Sequence, residues 1–377
     1  MALVLVIDGL TAEGDEGWAN WLPNLQRLAM LGEQVQLTGL GKRVLPESLQ
    51  PWLSRLGLPE RASSAWFSAY EARRSEPHAS CWCHLGFTHL FRKEDTLRYV
   101  SPARTGQSMD ELRALGQSLN TLLEEAGWQL RHQDGEGLIL CSENPWQVDA
   151  LPLRILEGAS ALEVLPQGRD GKKLQSLINS MQLVLSRDPI NEQRLASGRL
   201  PLNTPWFWGF GPAPQGEPRE PWQGGELRSS DAAVRGLGRF LGWQVGLMPE
   251  EEREWHWDES AKALAQRAAQ EDVLIHLQGP AVFARHGMHG DRAKLLKLWD
   301  QQLWSPMERD LKQAGADLVI IEGYPLEKQG IGAPLKAPQA LLVRAKKLGK
   351  PSRFWHRLRG EREQQVEWQG WSTTWKR

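Results

Sequence analysis

The chain is poor in cysteine, with only Cys81, Cys83 and Cys141 among 377 residues. That scarcity excludes a disulfide framework and fits a reducing compartment, so the expected location is cytoplasmic. No apolar run reaches the length of a membrane span, and no signal-peptide pattern precedes the first strand, so no membrane association is expected. An excess of charge of one sign is also missing: 45 Lys and Arg against 46 Asp and Glu leave a net charge of −1. Nothing global therefore steers the protein toward nucleic acid or an anionic surface. What is present in unusual amount is tryptophan, 19 residues in all, scattered without the fixed period of a repeat protein. With 41% hydrophobic and 24% charged residues, the composition is that of a globular protein. Its length suffices for two domains, or one with an insertion.

The architecture is announced at the start, in Met1-Ala2-Leu3-Val4-Leu5-Val6-Ile7-Asp8-Gly9-Leu10. A short continuous apolar run reads as a strand covered on both faces, as in a parallel sheet between helices. Ligands of such sheets bind beyond the carboxyl ends of the strands, which is where Asp8 falls. Its carboxylate suits a cation, and it equally suits a plain Asp-Gly turn. A helix is expected over 22–31, with Pro23 in its first turn, and a half-buried strand over 34–40. Ser48 sits where a turn enters a short helix, either as an N-cap hydroxyl or as a nucleophile or phosphate contact.

Further along, Leu112, Leu115, Leu119, Leu122 and Leu123 recur at helical spacing over 109–126, and Gly127 ends that helix. A second amphipathic helix covers 174–185, and residues 212–228 read as a loop rich in Pro, Gly and Glu. Helices follow over 230–242, 260–270 and 295–311, with strands over 137–141, 244–248, 272–277 and 316–321. His78, Cys81, Cys83, His84 and His89 mix soft and imidazole donors that could hold zinc, but Cys-x-Cys is not the usual spacing and no second pair follows. The end of the chain, from Lys346, interleaves Arg353, Arg357 and Arg359 with Trp355, Trp368, Trp371 and Trp375. That pattern fits single-stranded nucleic acid or, with Glu361, Glu363 and Glu367 diluting the charge, a closing β-hairpin.

Three stretches together resemble a known family. They are the Asp8-Gly9 strand end with Leu22-Pro23-Asn24-Leu25; the turn Pro46-Glu47-Ser48 running into Leu53-Ser54-Arg55-Leu56-Gly57; and Asn191-x-x-Arg194 preceding Asn203-x-x-Trp206-Phe207-Trp208-Gly209-Phe210-Gly211. The first two resemble the archaeal-type cofactor-independent phosphoglycerate mutases of the alkaline phosphatase superfamily, and the third resembles a shorter bacterial group of mutase-like proteins; the resemblance is strongest over 2–58, 181–242 and 272–323. The resemblance implies an α/β fold: a mostly parallel central sheet flanked by helices, alkaline-phosphatase-like, from residues 1–84 and 206–377, with an inserted α+β domain over 85–205. It places Ser48 on the family's phosphorylated serine and Asp8 on a metal-binding aspartate. Arg194 falls in the region whose arginines hold the substrate's anionic groups, a task for a planar bidentate donor; a solvated helix-end arginine is the alternative.

The same resemblance shows what is replaced. Where active mutases carry Pro-Asp and a histidine four residues on, this chain has Ala281 and Arg285, and where the last strand should end Asp-His it has Glu322-Gly323. Alanine and glycine offer no side-chain ligand, and a guanidinium donates without accepting. A site so altered should not hold the two ions on which such phosphoryl transfer depends. The expectation is a mutase-like pseudoenzyme without a cofactor that binds a ligand or regulates, with Asp8, Arg194 and Arg285 as the ligand-binding residues. A phosphorylated small molecule and a protein are the expected partners. The alternative is an active phosphatase or mutase using Ser48, with manganese or zinc on Asp8, Glu322, His286 and His289. A nucleic-acid-binding protein using the Trp-rich tail is the third reading.

Overall fold

The computed structural model describes residues 2–8, 10, 22, 24–25, 33–36, 62–75, 78–100, 102–153, 156, 158–214, 225–248, 259–280, 283, 289–322 and 339–343. Its strands in chain order are β1 (Ala2–Ile7), β2 (Glu33–Gln36), β3 (Cys81–Lys93), β4 (Thr96–Val100), β5 (Trp128–Gln133) and β6 (Leu138–Ser142). They continue as β7 (Thr204–Gly211), β8 (Gly225–Arg228), β9 (Gln244–Gly246), β10 (Asp272–Leu277), β11 (Asp317–Glu322) and β12 (Gln339–Val343). The main helices are α1 (Ser64–Glu71), α2 (Met109–Ser118), α3 (Asn120–Glu125), α4 (Gly171–Leu185) and α5 (Pro189–Ala196). After them come α6 (Ala232–Phe240), α7 (Glu259–Gln270), α8 (His289–Trp299) and α9 (Ser305–Ala314).

Seven strands form one sheet in the order β2-β12-β11-β1-β10-β8-β9. β1 lies parallel to β10 and β11 on its two sides, β8 is parallel to β10 and β9, and β12 and β2 close one edge antiparallel. The apolar run of β1 is buried along its whole length because each of its faces meets helices. Leu3, Leu5 and Ile7 join Ile275, Leu277, Leu318 and Ile320 under α7, α8 and α9. Ala2, Val4 and Val6 join Leu274 and Val319 under α1 and α6. This is the parallel, helix-flanked sheet that the opening residues predict.

A second, antiparallel sheet, ordered β4-β3-β6-β5 with β7 also on β3, stands behind α1. Trp82, Ile139 and Cys141 from that sheet pack in the same cluster as Ala65, Phe67 and Val4, so α1 is sandwiched between the two sheets. The sheet's other cluster is filled by Leu112, Leu115, Leu119 and Leu123 with Leu174, Ile178 and Met181. Its strands run from Cys81 to Gly211, so the expected limits of the inserted unit, 85 and 205, fall inside β3 and β7. Helices α1 and α6 touch backbone to backbone: a Cβ on Gly236 would fall inside contact distance of the Phe67 carbonyl oxygen.

Several local expectations change. The stretch read as a loop over 212–228 ends in strand β8; Glu226 and Arg228 hide its character. Glu226 is nonetheless buried, paired with Arg228 at 2.6 Å and Arg267 at 2.7 Å. Gly225 lets the Trp243 ring and the Asp272 carbonyl come close. The helix over 109–126 is two helices broken at Leu119, whose side chain stays buried so that the apolar stripe runs on unaltered. The helix expected over 295–311 starts at His289 and contains a π turn, Asp300–Trp304. The widened turn leaves the Asp300 carbonyl to accept from Asn24 Nδ2 at 2.8 Å, while its carboxylate accepts from the backbone N–H groups of Asn24 and Leu25.

The histidines and cysteines of 78–89 lie along the thirteen-residue strand β3 or just before it. Strand alternation sends Cys81 and Cys83 to one face and His84 to the other, where its ring stacks on Trp208 with centroids 5.0 Å apart. His89 meets the Pro201 carbonyl at 2.9 Å and His78 is exposed. Pleating disperses these donors, and among the described residues no three His, Cys, Asp or Glu side chains are grouped to hold a metal.

Candidate functional site

The carboxyl ends of β1, β10 and β8 bring together polar side chains that the surrounding apolar strands make conspicuous. Asp8 follows β1, and its N–H continues the sheet pairing by donating to the Leu277 carbonyl at 2.9 Å. His276 is paired with Val6 in the β1–β10 register and is the single titratable residue inside the buried run Val273-Leu274-Ile275-His276-Leu277. Its Nε2 lies 3.2 Å from Asp8 Oδ2, and its Nδ1 lies 2.9 Å from the hydroxyl of Ser229, the residue leaving β8. Ser229 Oγ also accepts from the Asp231 N–H at 3.0 Å.

Asp231 then opens helix α6. Its Oδ1 accepts from the N–H groups of Ala233 and Val234, the N-cap geometry that satisfies a helix start. Its Oδ2 accepts from Gln278 Nε2 at 3.1 Å. Arg235 braces the same turn, donating to the carbonyls of Ser229 and Ser230 and pairing with Glu71 of α1. The chain Asp8–His276–Ser229–Asp231–Gln278 thus ties three adjacent strand ends to one helix start. Asp8 and Ser229 are fully buried, and His276 is 1% exposed.

This arrangement lies where the parallel sheet predicts a site, and it keeps one expected residue, Asp8. Glu322 closes β11 opposite Ile7, one residue before the level of Asp8, and His289 opens helix α8. Ser48, Arg285 and His286 lie outside the described residues, as do Ala281, Gly323 and the basic, Trp-rich tail. The four other members of the chain were not singled out in the sequence. A lone histidine inside a five-residue apolar strand was the available signal for His276, and Ser229-Ser230-Asp231 ahead of a helix was the signal for the rest.

Arg194 is placed elsewhere. It sits on α5 in the second unit, 1% exposed, with Nη1 on Glu111 at 2.8 Å, Nη2 on the Thr105 carbonyl and Nε on the Leu200 carbonyl. Arg199 holds the other oxygen of Glu111 at 2.9 Å, and Glu111 in turn closes a capping box with Ser108 at the start of α2. Burial pushes the Glu111 carboxyl up, but the Ser108 N–H and the two guanidinium groups outweigh it and hold the pKa below the ordinary carboxylate value. The bidentate donor has found an anion, and that anion is internal. Arg194 therefore binds α5 to α2 instead of facing the strand ends.

The resemblance would place two divalent ions beside Asp8. Asp8 meets His276 Nε2 through Oδ2, and the ring's other nitrogen, Nδ1, is held by the Ser229 hydroxyl. No grouping of three His, Cys, Asp or Glu side chains forms among the described residues.

No family model matches the chain. A probable 2,3-bisphosphoglycerate-independent phosphoglycerate mutase of Geobacter sulfurreducens is 29% identical to it over 176 residues, 45% of this chain and 44% of the relative. The 2,3-bisphosphoglycerate-independent phosphoglycerate mutase of Methanosarcina acetivorans is 26% identical over 180 residues, 46% of this chain and 45% of the relative. The chain thus spans less than half the length of these curated relatives. A solved protein of Pyrococcus horikoshii superposes with a TM-score of 0.54 at 17% identity, covering 91% of this chain and 87% of that one, and so shares its fold. No helix among the described residues is long and apolar enough to cross a membrane. In sequence over the matched stretch, this chain is similar to the 2,3-bisphosphoglycerate-independent phosphoglycerate mutases, and in fold to the Pyrococcus horikoshii protein.

Proposed function

We propose that this mutase-like protein does not run two-metal phosphoryl transfer and instead binds a phosphorylated small molecule at the carboxyl ends of its parallel strands, as a ligand-binding or regulatory relative of the mutases. The observation that carries the reading is the state of Asp8. The one carboxylate kept from the expected metal set is fully buried and engaged with His276 at 3.2 Å. The sequence supports the reading at three further positions, since Ala281, Arg285 and Gly323 stand where the resemblance calls for ligands. The class of ligand follows from the names of the relatives, which act on phosphoglycerate. Arg285 is the residue we assign to the ligand's anion, and a protein partner is the natural reader of ligand occupancy.

The test is the metal content of the purified protein after equilibration with manganese and zinc, together with phosphatase and mutase assays of the chain and of Ser48→Ala. Absence of bound metal and of Ser48-dependent turnover is the expected result. Bound metal together with turnover that Ser48→Ala abolishes would overturn the proposal and make Ser48, with Asp8, Glu322, His286 and His289, the machinery of an active enzyme.

A further inference from the structure

The hydrogen bonds behind Asp8 have a direction, and the direction restricts what His276 can do. Ser229 Oγ is fully buried and has two partners, the Asp231 N–H at 3.0 Å and His276 Nδ1 at 2.9 Å. The backbone N–H can only donate. A serine hydroxyl has one proton to give. If Nδ1 carried a proton it would donate to Oγ, and the hydroxyl proton would then be buried with no acceptor, a loss of about 1–3 kcal/mol. The arrangement that satisfies every group runs one way: Asp231 N–H to Ser229 Oγ, Ser229 O–H to His276 Nδ1. An imidazole with its lone pair on Nδ1 carries its proton on Nε2. That proton faces Asp8 Oδ2 at 3.2 Å.

We infer that Ser229 and His276 are positioning residues for Asp8: the relay locks His276 as the Nε2–H tautomer, so it presents a donor to the carboxylate and no lone pair to a metal ion. The order also separates this trio from a hydrolase triad. The serine sits on Nδ1 and the carboxylate on Nε2, and the hydroxyl is fully buried, so Ser229 is no nucleophile. The relay gives the Asp8 carboxylate a hydrogen-bond donor where a metal site would give it an ion. Through the Asp231 cap it fixes that donor to the start of α6. The inference deepens the proposed reading of the strand-end site, yet the two fail separately.

The experiment is nitrogen-15 NMR of the histidine side chains in the 377-residue chain, with His276 assigned by its absence in His276→Gln. The expected spectrum shows a protonated-type Nε2 and an unprotonated-type Nδ1. Ser229→Ala should shift the Nδ1 resonance further toward the unprotonated, non-hydrogen-bonded position. Stoichiometric zinc should leave both His276 nitrogens at the positions of the metal-free Nε2–H tautomer. A proton on Nδ1, protons on both nitrogens, or a shift of a His276 nitrogen to the zinc-coordinated position would overturn the inference. The tautomer and the zinc response are read in the unsubstituted protein, so a poorly folding Ser229→Ala does not spare it. Zinc bound with Ser48-dependent turnover while His276 stays Nε2-protonated and uncoordinated would sink the proposed function and leave the relay standing.

Discussion

Replacing Arg194 by methionine removes a charge that α5 and α2 share. The wild-type guanidinium is 1% exposed and makes three hydrogen bonds, to Glu111 and to the carbonyls of Thr105 and Leu200. Removing one member of a buried ion pair costs about 3–5 kcal/mol, because the remaining charge loses its partner. Two effects pull in opposite directions here. Glu111 keeps Arg199 and the Ser108 N–H, which lowers the cost, while two carbonyls lose their donor, which raises it. The expected loss is therefore about 3–5 kcal/mol in urea unfolding followed by tryptophan fluorescence. Arg199→Met, at an exposed side chain, should cost under about 1 kcal/mol. The pH dependence gives a second readout. Glu111 has a folded pKa below its ordinary 4.5, so its contribution is present above that value and is lost as pH falls through the folded pKa. Arg194→Met should flatten that acid limb of the stability curve. A loss under about 1 kcal/mol would refute the buried-brace argument; so would a folded Arg194→Met that has lost affinity for phosphate, which would return this arginine to the ligand.

Two further perturbations probe the packing. Gly236→Ala places a methyl against the Phe67 carbonyl oxygen; the overpacking should cost about 3 kcal/mol, well beyond the ~1 kcal/mol that alanine gains over glycine in a helix, and a thermal melt unchanged or raised would contradict the close approach of α1 and α6. Burial pushes the Cys81 thiol up to about 11 and Cys83 well above its ordinary value. Neither should be alkylated by iodoacetamide at pH 8 in the folded protein, and both should react in urea; rapid labelling of the folded chain at either position would show that the second sheet opens.

The parallel core was readable because its strands are buried on both faces. β10 is an almost unbroken apolar run from Val273 to Leu277, and 272–277 is the strand both in the sequence and in the structure. β1 and β11 share that property. β8 does not, because at a short strand next to the edge strand β9 a glutamate can be buried if arginines meet it, and Glu226 does so with Arg228 and Arg267. Such a strand carries no local sign, since its charges are satisfied by residues near and far in the chain. The break between α2 and α3 was invisible for a related reason. Periodicity reports which side chains face the core, and Leu119 faces it on either side of the break. The length of β3 was masked by histidines and cysteines that read as a donor cluster. β6 and β7 both pair with its first part, over 81–85 and 82–88, and β4 takes 89–93, and pairing of that kind is not encoded in the strand itself.

The same distinction explains the site. A motif position such as Asp8 can be recognised because it stands at the end of an apolar run, where the polypeptide must turn. Arg194 could not be assigned from its type alone, because a guanidinium suits any anion, and only the fold shows that Glu111, 83 positions away in the chain, is the anion it meets. His276 is the converse case. A titratable side chain in the middle of a buried strand must find partners for both ring nitrogens or lose several kcal/mol of hydrogen bonding. Here one partner lies 47 positions away and the other 268, joined only because β8, β10 and β1 are neighbours in the parallel sheet. That neighbourhood gives a buried carboxylate a hydrogen-bond partner. The residues Ala281, Arg285 and Gly323 and the partner built for Asp8 are the two observations, one in the sequence and one in the fold, on which the proposed loss of metal chemistry rests.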